Sequence, residues 1–160
     1  MEEKIKIRKA TSKDAERISN LRRQTLDKIN HHDYPKPALE ILKKSYSTKS
    51  ILERLKVKKV FVLTNRGKIL GSVELNLRTG RLQAMYIDYK HLGKGYGSKL
   101  MDFIEHYARV KKIKKIILYS TKTAYAFYKK LGYKRIKGGF WKGPGFKVKD
   151  IRMEKRLGPD

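Results

Sequence analysis

The sequence contains no cysteine and has few acidic residues, 15 in a chain of 160. Without cysteine the chain forms no disulfide, has no thiolate nucleophile and lacks the commonest ligands of structural zinc. Its four histidines are scattered without metal-site spacing, so we predict no bound metal. No apolar run approaches the ~18 residues that span a membrane, and the first residues do not resemble a signal sequence. We therefore expect a cytoplasmic protein with no membrane association.

The shortage of acids leaves a strongly basic chain. Against the 15 acidic residues stand 41 lysines and arginines, giving a formal net charge of +26. Such a field attracts polyanions and repels strongly cationic substrates at long range. The charge is typical either of a solvated, lysine-rich surface or of a nucleic-acid-binding protein. Nucleic acid is possible but not favoured, because no recognised motif for it is present and the basic run at 111–115 also suits a helix C-terminus.

The hydrophobic residues, 39% of the chain, are enough for one core, and we predict a single domain over residues 1–160. In the first half, periodicity predicts a strand and then three helices before two further strands. The helices begin at a Thr11 cap, near Pro37 in a first helical turn, and after Ser47. The predicted strands are 4–9, 59–64 and 69–76, and the predicted helices are 11–29, 37–42 and 47–55.

In the second half, a strand at 82–88 completes an antiparallel meander with the two strands before it. Helical periodicity follows from Gly95, and a second helix starts at Thr121 and stops at Gly132, a natural C-terminal cap. The remaining predicted strands are 116–119, 133–137 and 148–155, the last two flanking a loop at 138–146.

The most informative segment is the glycine-rich turn Leu92-Gly93-Lys94-Gly95-Tyr96-Gly97, which joins a strand to a helix. Glycines allow close backbone approach, and the helix start presents unpaired N–H groups with a partial positive charge, so the turn suits a phosphate. The segment lacks the Gly-Lys-Ser/Thr of a P-loop and the third glycine of a dinucleotide fingerprint. By itself the turn indicates only that an anion can bind there.

Two segments together resemble a known family. Residues 85–101 resemble the acetyl-CoA motif of the GNAT N-acetyltransferase superfamily, Q/R-x-x-G-x-G/A, and residues 121–133 are similar to its N-x-x-A-x-x-F-Y-x-x-x-G-F. Leu92 departs from the first motif and Thr121 from the second. The resemblance implies an α/β GNAT fold, in which about four helices flank a central, mixed but mostly antiparallel sheet of about six or seven strands.

The resemblance also implies the cofactor, acetyl-CoA, and the residues near it. It places the acetyl carbonyl against the backbone of the strand before the turn, as oxyanion-type stabilisation. The implied cofactor-binding residues are Tyr86, Ile87, Leu92, Gly93, Lys94, Gly95, Tyr96, Gly97, Ser98, Lys99, Thr121, Ala124 and Tyr128.

Amide formation from a thioester needs a group that protonates the departing thiolate and a group that deprotonates the amine. Tyr128 matches the tyrosine that GNAT enzymes place near the sulfur as general acid, although its helical spacing also suits a core aromatic. The family's strand glutamate is missing here. Glu74, Asp88 and His91 remain as base candidates, and each also fits a surface or turn position.

The family takes its acceptor specificity from two segments, here around 31–36 and 138–146. Their aromatic residues Tyr34, Phe140, Trp141 and Phe146 are candidates for an acceptor pocket or for ordinary loop anchoring. The predicted function is transfer of acetyl to a primary amine of a small molecule or a protein, by a monomer or homodimer. The alternatives are a nucleic-acid- or ribosome-associated protein and a non-catalytic CoA sensor on the same scaffold.

Overall fold

The computed structural model describes residues 2–158, which form helices packed on both faces of two adjoining sheets. The α-helices are α1 (Ala15–Lys28), α2 (Lys36–Ser45), α3 (Thr48–Val57), α4 (Tyr96–Val110) and α5 (Tyr125–Lys130). The strands are β1 (Ile5–Lys9), β2 (Lys59–Asn65), β3 (Lys68–Leu75), β4 (Leu82–Ile87), β5 (Lys115–Ser120), β6 (Lys134–Arg135), β7 (Phe140–Gly143), β8 (Phe146–Lys149) and β9 (Ile151–Arg156).

The entry into α1 follows from its capping residues. Thr11 and Asp14 form a capping box, in which the Thr11 N–H donates to the Asp14 carboxylate at 2.8 Å. The helix then buries a stripe of residues at three- and four-residue spacing, including Ile18 and Leu21. This stripe packs against the sheet and orients α1 along one of its faces.

The strands form two antiparallel sheets that meet at β4 and β5. The first sheet has the order β1-β2-β3-β4 and the second the order β5-β9-β6. A single parallel bridge, Arg81 to Ile117, joins the two sheets, and the Ile117 N–H donates to the Gly80 carbonyl at 3.0 Å. Beyond this bridge, β4 and β5 make no backbone pairing, so the edge of β4 from residue 82 onward is free on the side of β5.

The core lies on both sides of the first sheet. One cluster of buried side chains joins α4 and α5 to β3, β4 and β5, and the other joins α1, α2 and α3 to β2. β3 contributes Leu70, Val73 and Leu75 to the first cluster and Ile69 to the second, since strand side chains lie on both faces of the sheet. Both faces are therefore covered by helices, and only the gap between β4 and β5 interrupts the sheet.

Three predicted boundaries were wrong. The segment 138–146 is not a plain loop, because β7 pairs with β8 around the Pro144-Gly145 turn, where Gly145 has φ +79°. The strand predicted at 148–155 is divided at Asp150, whose carboxylate accepts from the Gly139 N–H at 2.8 Å. The helix expected from Thr121 begins only at Tyr125, because residues 122–124 form a turn in which the Thr121 hydroxyl accepts from the Ala124 N–H at 3.1 Å.

The predicted fold class is confirmed. The described residues, 2–158, place seven strands in the two adjoining sheets, with one parallel contact among antiparallel pairings, and five α-helices around them. Within this range every helix is too short or too polar to cross a lipid bilayer.

Candidate functional site

The glycine-rich turn forms an open cradle at the start of α4. Gly93 and Gly95 have φ +79° and +81°, and a Cβ built on either would meet no atom within 4 Å. The amide N–H groups of residues 93–98 donate to no acceptor within the described chain, whereas the Lys99 N–H bonds the Gly95 carbonyl. Six consecutive N–H groups are thus available to a ligand, as expected at a helix N-terminus.

The side chains of the turn divide into two groups. Lys94, Ser98 and Lys99 are exposed beside the cradle, and Leu92 is also exposed. Tyr96 instead lies in the core, with its hydroxyl 2.8 Å from a Glu3 carboxylate oxygen. Only the backbone of Tyr96 is therefore positioned for a ligand.

Gly97 connects this cradle to the rest of the site. A Cβ on Gly97 would lie 3.2 Å from the Phe127 ring and 3.4 Å from the Met85 side chain. The absence of a side chain therefore allows the first turn of α4 to pack on α5 and β4. The cradle is thus held against Phe127, the residue before Tyr128 in α5.

A bulge in β4 was not predicted from the sequence. Glu74 pairs with Gln83 and Ser72 with Tyr86, so two β4 residues, 84 and 85, oppose Val73 alone. Ala84 has φ +54°, a left-handed conformation that is rare for a residue with a side chain. Such bulges turn backbone groups away from the ladder and are common beside functional sites. No turn residue in this segment signals the bulge.

The gap between β4 and β5 opens into a cavity of about 710 Å³. Phenol side chains are prominent in its lining. Five tyrosines, Tyr34, Tyr46, Tyr86, Tyr119 and Tyr128, line it together with Phe140 and Trp141. The cavity therefore combines aromatic rings with polar side chains, a combination found in small-molecule sites.

Tyr128 is almost fully buried, at 6% exposure, yet lines this cavity. Its hydroxyl makes no side-chain hydrogen bond to any other residue in the range 2–158. Burial raises the pKa of the Tyr128 phenol well above its ordinary value, so the group stays protonated at neutral pH. A protonated donor with no internal partner faces the place where a ligand would bind.

The phenols of Tyr34 and Tyr86 are also neutral at neutral pH. Burial raises the pKa of Tyr34, and the nearby Tyr46, Asp33 and Tyr128 add to the shift. Burial likewise raises the pKa of Tyr86. These tyrosines can donate or accept hydrogen bonds, but none is a base near neutral pH.

Of the two strand residues predicted to face the acetyl group, Tyr86 lines the cavity and Ile87 packs in the core. Thr121 and Ala124 line the cavity on the opposite side, after β5. The structure thus brings Tyr86, Thr121, Ala124 and Tyr128 to one place, next to the glycine-rich turn.

The base candidates lie elsewhere. Glu74 is fully buried, with Arg22 and Arg54 bound to its two carboxylate oxygens. Burial alone would raise the pKa of Glu74, but the two guanidinium groups outweigh it and lower that pKa. A carboxylate held in this way is a poor proton acceptor.

Asp88 caps the turn after β4. Its carboxylate accepts from the Lys90 N–H at 2.9 Å and from Arg17 at 2.7 Å, and His91 Nδ1 lies 3.5 Å away. Burial would raise the pKa of Asp88, but these partners lower it. Neither Asp88 nor His91 lines the cavity. Their contacts therefore favour a structural role for both residues.

The predicted acceptor residues do come together. Tyr34 packs edge-on against Trp141 at 6.2 Å between ring centroids, and Trp141 contacts Phe146 at 4.7 Å. Phe146 supports this wall without lining the cavity. Asp33, before Tyr34, accepts from the Thr123 hydroxyl at 2.8 Å, which fastens the segment after α1 to the loop after β5. Sequence reasoning missed Asp33, because nothing local marks a contact 90 residues away.

Gly95 provides a test of the cradle. Replacing Gly95 by Ala is expected to destabilise the protein by about 1–2 kcal/mol, because a side chain is strained at φ +81°. Urea unfolding measures the loss. Gly139→Ala is the matched control, since Gly139 is not in the left-handed region and its Cβ would have only one neighbour, at 3.9 Å. Equal stability of the Gly95 variant and wild type would contradict the backbone assignment.

Comparison with known proteins gives the same family as the sequence motifs. A family model described as an acetyltransferase (GNAT) domain matches residues 30–157. No curated protein sequence matches the chain.

Solved structures share the fold. A GCN5-related N-acetyltransferase from Rhodopseudomonas palustris superposes with a TM-score of 0.86 at 18% identity, over 98% of this chain and 99% of that one. The PaiA N-acetyltransferase from Thermoplasma acidophilum, solved with coenzyme A, gives 0.81 at 21% identity, over 96% and 99%. A ribosomal-protein-alanine N-acetyltransferase from Escherichia coli gives 0.73 at 16% identity, over 98% and 96%.

Proposed function

The chain belongs to the GNAT acetyltransferase family, and we propose that it transfers the acetyl group of acetyl-CoA to a primary amine bound in the cavity between β4 and β5. The acceptor is a small molecule or a protein N-terminus or lysine. The observation that carries the proposal is the Tyr128 hydroxyl, which is protonated, lines the cavity and has no hydrogen-bond partner within residues 2–158. Phe127, the residue before it, packs against Gly97 at the helix start that has six free N–H groups.

The residues fit the groups that acetyl-CoA would bring. Its phosphates match the N–H groups of residues 93–98 and the exposed Lys94 and Lys99. Acetyl-CoA supplies an acetyl thioester, the activated form from which an amine can take the acetyl group. The free edge of β4 offers backbone N–H groups where negative charge develops on the carbonyl oxygen.

Tyr128 acts as the general acid in this proposal. As the amine nitrogen bonds to the carbonyl carbon and the carbon–sulfur bond breaks, the phenol donates its proton to the departing sulfur. The proton lost by the amine restores the phenol through solvent. The two base candidates with lowered pKa, Glu74 and Asp88, do not line the cavity, and we propose that water in the cavity carries the amine proton away.

Acetyl-CoA binding is the first test. At about 100 times its Kd the ligand should stabilise the protein by about 2.7 kcal/mol. For a chain of this length that is roughly 5–10 °C in Tm, measured by differential scanning fluorimetry. No shift at saturating acetyl-CoA would refute both the enzyme and a non-catalytic CoA sensor. Thiol release with an amine panel then separates these two, and steeply salt-dependent RNA binding in place of turnover would support the nucleic-acid alternative.

A further inference from the structure

Three basic side chains contact one buried carboxylate, Glu74 near the end of β3, and a fourth lies on the same face of the sheet. We call them the cationic cluster: Arg22, Arg54, Lys58 and Arg81. Arg22 is bound to one oxygen of Glu74, and Arg54 Nη1 lies 2.9 Å from the other. The Lys58 ammonium lies 3.8 Å from that same oxygen and donates to the Gln83 amide oxygen at 2.8 Å.

The strand register places Arg81 on the same face. Glu74 and Gln83 are directly opposite each other in the β3–β4 ladder, so their side chains share one face of the sheet. Arg81 precedes Gln83 by two residues and therefore lies on that face as well. Its guanidinium sits 4.5 Å above the Tyr119 ring and has no carboxylate partner in the range 2–158.

The cluster carries more positive charge than its surroundings neutralise. Three cations share the Glu74 carboxylate, Arg81 has no carboxylate partner within residues 2–158, and Arg22 and Glu74 are fully buried. Burial lowers the pKa of the Lys58 ammonium, and the three arginines add to that effect against Glu74. Arg22 Nη2 is buried and has no hydrogen-bond partner in residues 2–158. Positive charge in excess is costly in the buried part of the cluster around Arg22, and an anion bound beside it would offset that cost.

The cluster opens into the proposed acceptor site. Arg54, Arg81 and Gln83 line the same cavity as Tyr128. The cavity has two carboxylates of its own within the described residues, and both are already engaged. Asp33 accepts from Thr123, and Asp150 accepts from the Gly139 N–H at 2.8 Å. The cavity therefore contains Arg81, which has no carboxylate partner within residues 2–158, together with Arg54, which shares Glu74 with Arg22 and Lys58.

We propose that the acceptor is a small primary amine that carries a carboxylate, and that the cationic cluster binds this carboxylate through Arg81 and Arg54. The inference rests on the proposed acetyltransferase function and names its substrate class. Arginine suits the role because its planar fork pairs with both oxygens of a carboxylate. The aromatic walls around Tyr128 then receive the amine end, since ammonium groups are attracted to aromatic faces.

The experiment compares matched amines by thiol release at saturating acetyl-CoA. The probes are 4-aminobutanoate, 6-aminohexanoate and tyrosine. Each is compared with the amine of the same structure that lacks the carboxylate. The first two are also compared with the diamine of equal length, which carries a second cation in place of the carboxylate. We expect kcat/KM to be at least about tenfold higher for the carboxylates, the energy of one good charged contact. A preference for the diamines or for the uncharged amines would overturn the inference while leaving the acetyltransferase function in place.

Arg81→Gln tests the residue itself. Arg81 is exposed at the cavity mouth, so the variant should fold normally. We expect its KM for the carboxylate amines to rise about tenfold, with KM for acetyl-CoA and kcat for the uncharged amines unchanged. Arg78→Gln is the control, because Arg78 is an exposed arginine in the preceding turn and lies outside the cavity. This variant should leave all three kinetic constants unchanged.

Two outcomes separate the inference from the function it rests on. Unchanged KM for the carboxylate amines in Arg81→Gln would show that the cluster does not bind them. Thiol release with none of these small amines, in a protein that acetyl-CoA still stabilises, would overturn the inference; the proposed function itself would be refuted only if peptide N-termini and lysine side chains also gave no thiol release.

Discussion

Replacing Tyr128 by Phe is expected to lower kcat about 100-fold or more, the range measured for loss of a positioned general acid. The change removes only the hydroxyl, which has no hydrogen-bond partner within residues 2–158, so the fold should remain intact. The ring contacts with Phe127 and Tyr133, at 5.1 and 5.9 Å, are preserved. The loss should therefore appear in kcat, with the acetyl-CoA Tm shift retained.

The pH dependence sharpens this test. Because burial raises the pKa of Tyr128, its phenol remains a proton donor at and above neutral pH. Ionisation of Tyr128 should therefore cause no decrease in the wild-type kcat as the pH is raised to about 10. Tyr125→Phe is the matched control: Tyr125 lies on the same helix, outside the cavity, and kcat should be unchanged. A Tyr128→Phe variant with wild-type kcat across the pH range would remove Tyr128 from the mechanism.

The second large effect concerns stability. Replacing Glu74 by Gln should destabilise the protein by about 3–5 kcal/mol, because it leaves the buried Arg22 without its counter-charge. Arg54 and Lys58 also lose their shared carboxylate. Urea unfolding at neutral pH measures the change. Glu53→Gln is the control, since it makes the same chemical change in an exposed pair with Lys56, and should cost less than about 0.5 kcal/mol.

The sign of the pH effect follows from the lowered pKa of Glu74. Its ionised form is favoured by folding, so its contribution is present above the ordinary value of 4.5 and is lost as pH falls through the lower folded-state pKa. The difference in stability between wild type and Glu74→Gln should shrink accordingly in acid. A variant with wild-type stability but greatly reduced kcat would instead support Glu74 as the general base.

Much of the fold was predictable because its signals are local. Period-two alternation in β1, the Thr11 and Asp14 capping box, and the glycine stop after α5 each depend on residues a few positions apart. The hairpin β7–β8 was missed although its Pro144-Gly145 turn was visible. The glycines and aromatic residues of that segment are equally typical of a loop, and only the pairing with β8 decides between them.

The sequence by itself determined the α/β order, the glycine-rich start of α4 and the pairing of two motifs that indicate acetyl-CoA, since each depends on spacing along the chain. Only the tertiary structure decided what surrounds them. The Ala84 bulge, the burial of Glu74 among arginines and the cavity between β4 and β5 arise from strand register and packing between distant segments. The local sequence around a glutamate is the same whether solvent or guanidinium groups surround its carboxylate in the folded protein. Burial and neighbouring charges set its pKa, and both are properties of the folded chain.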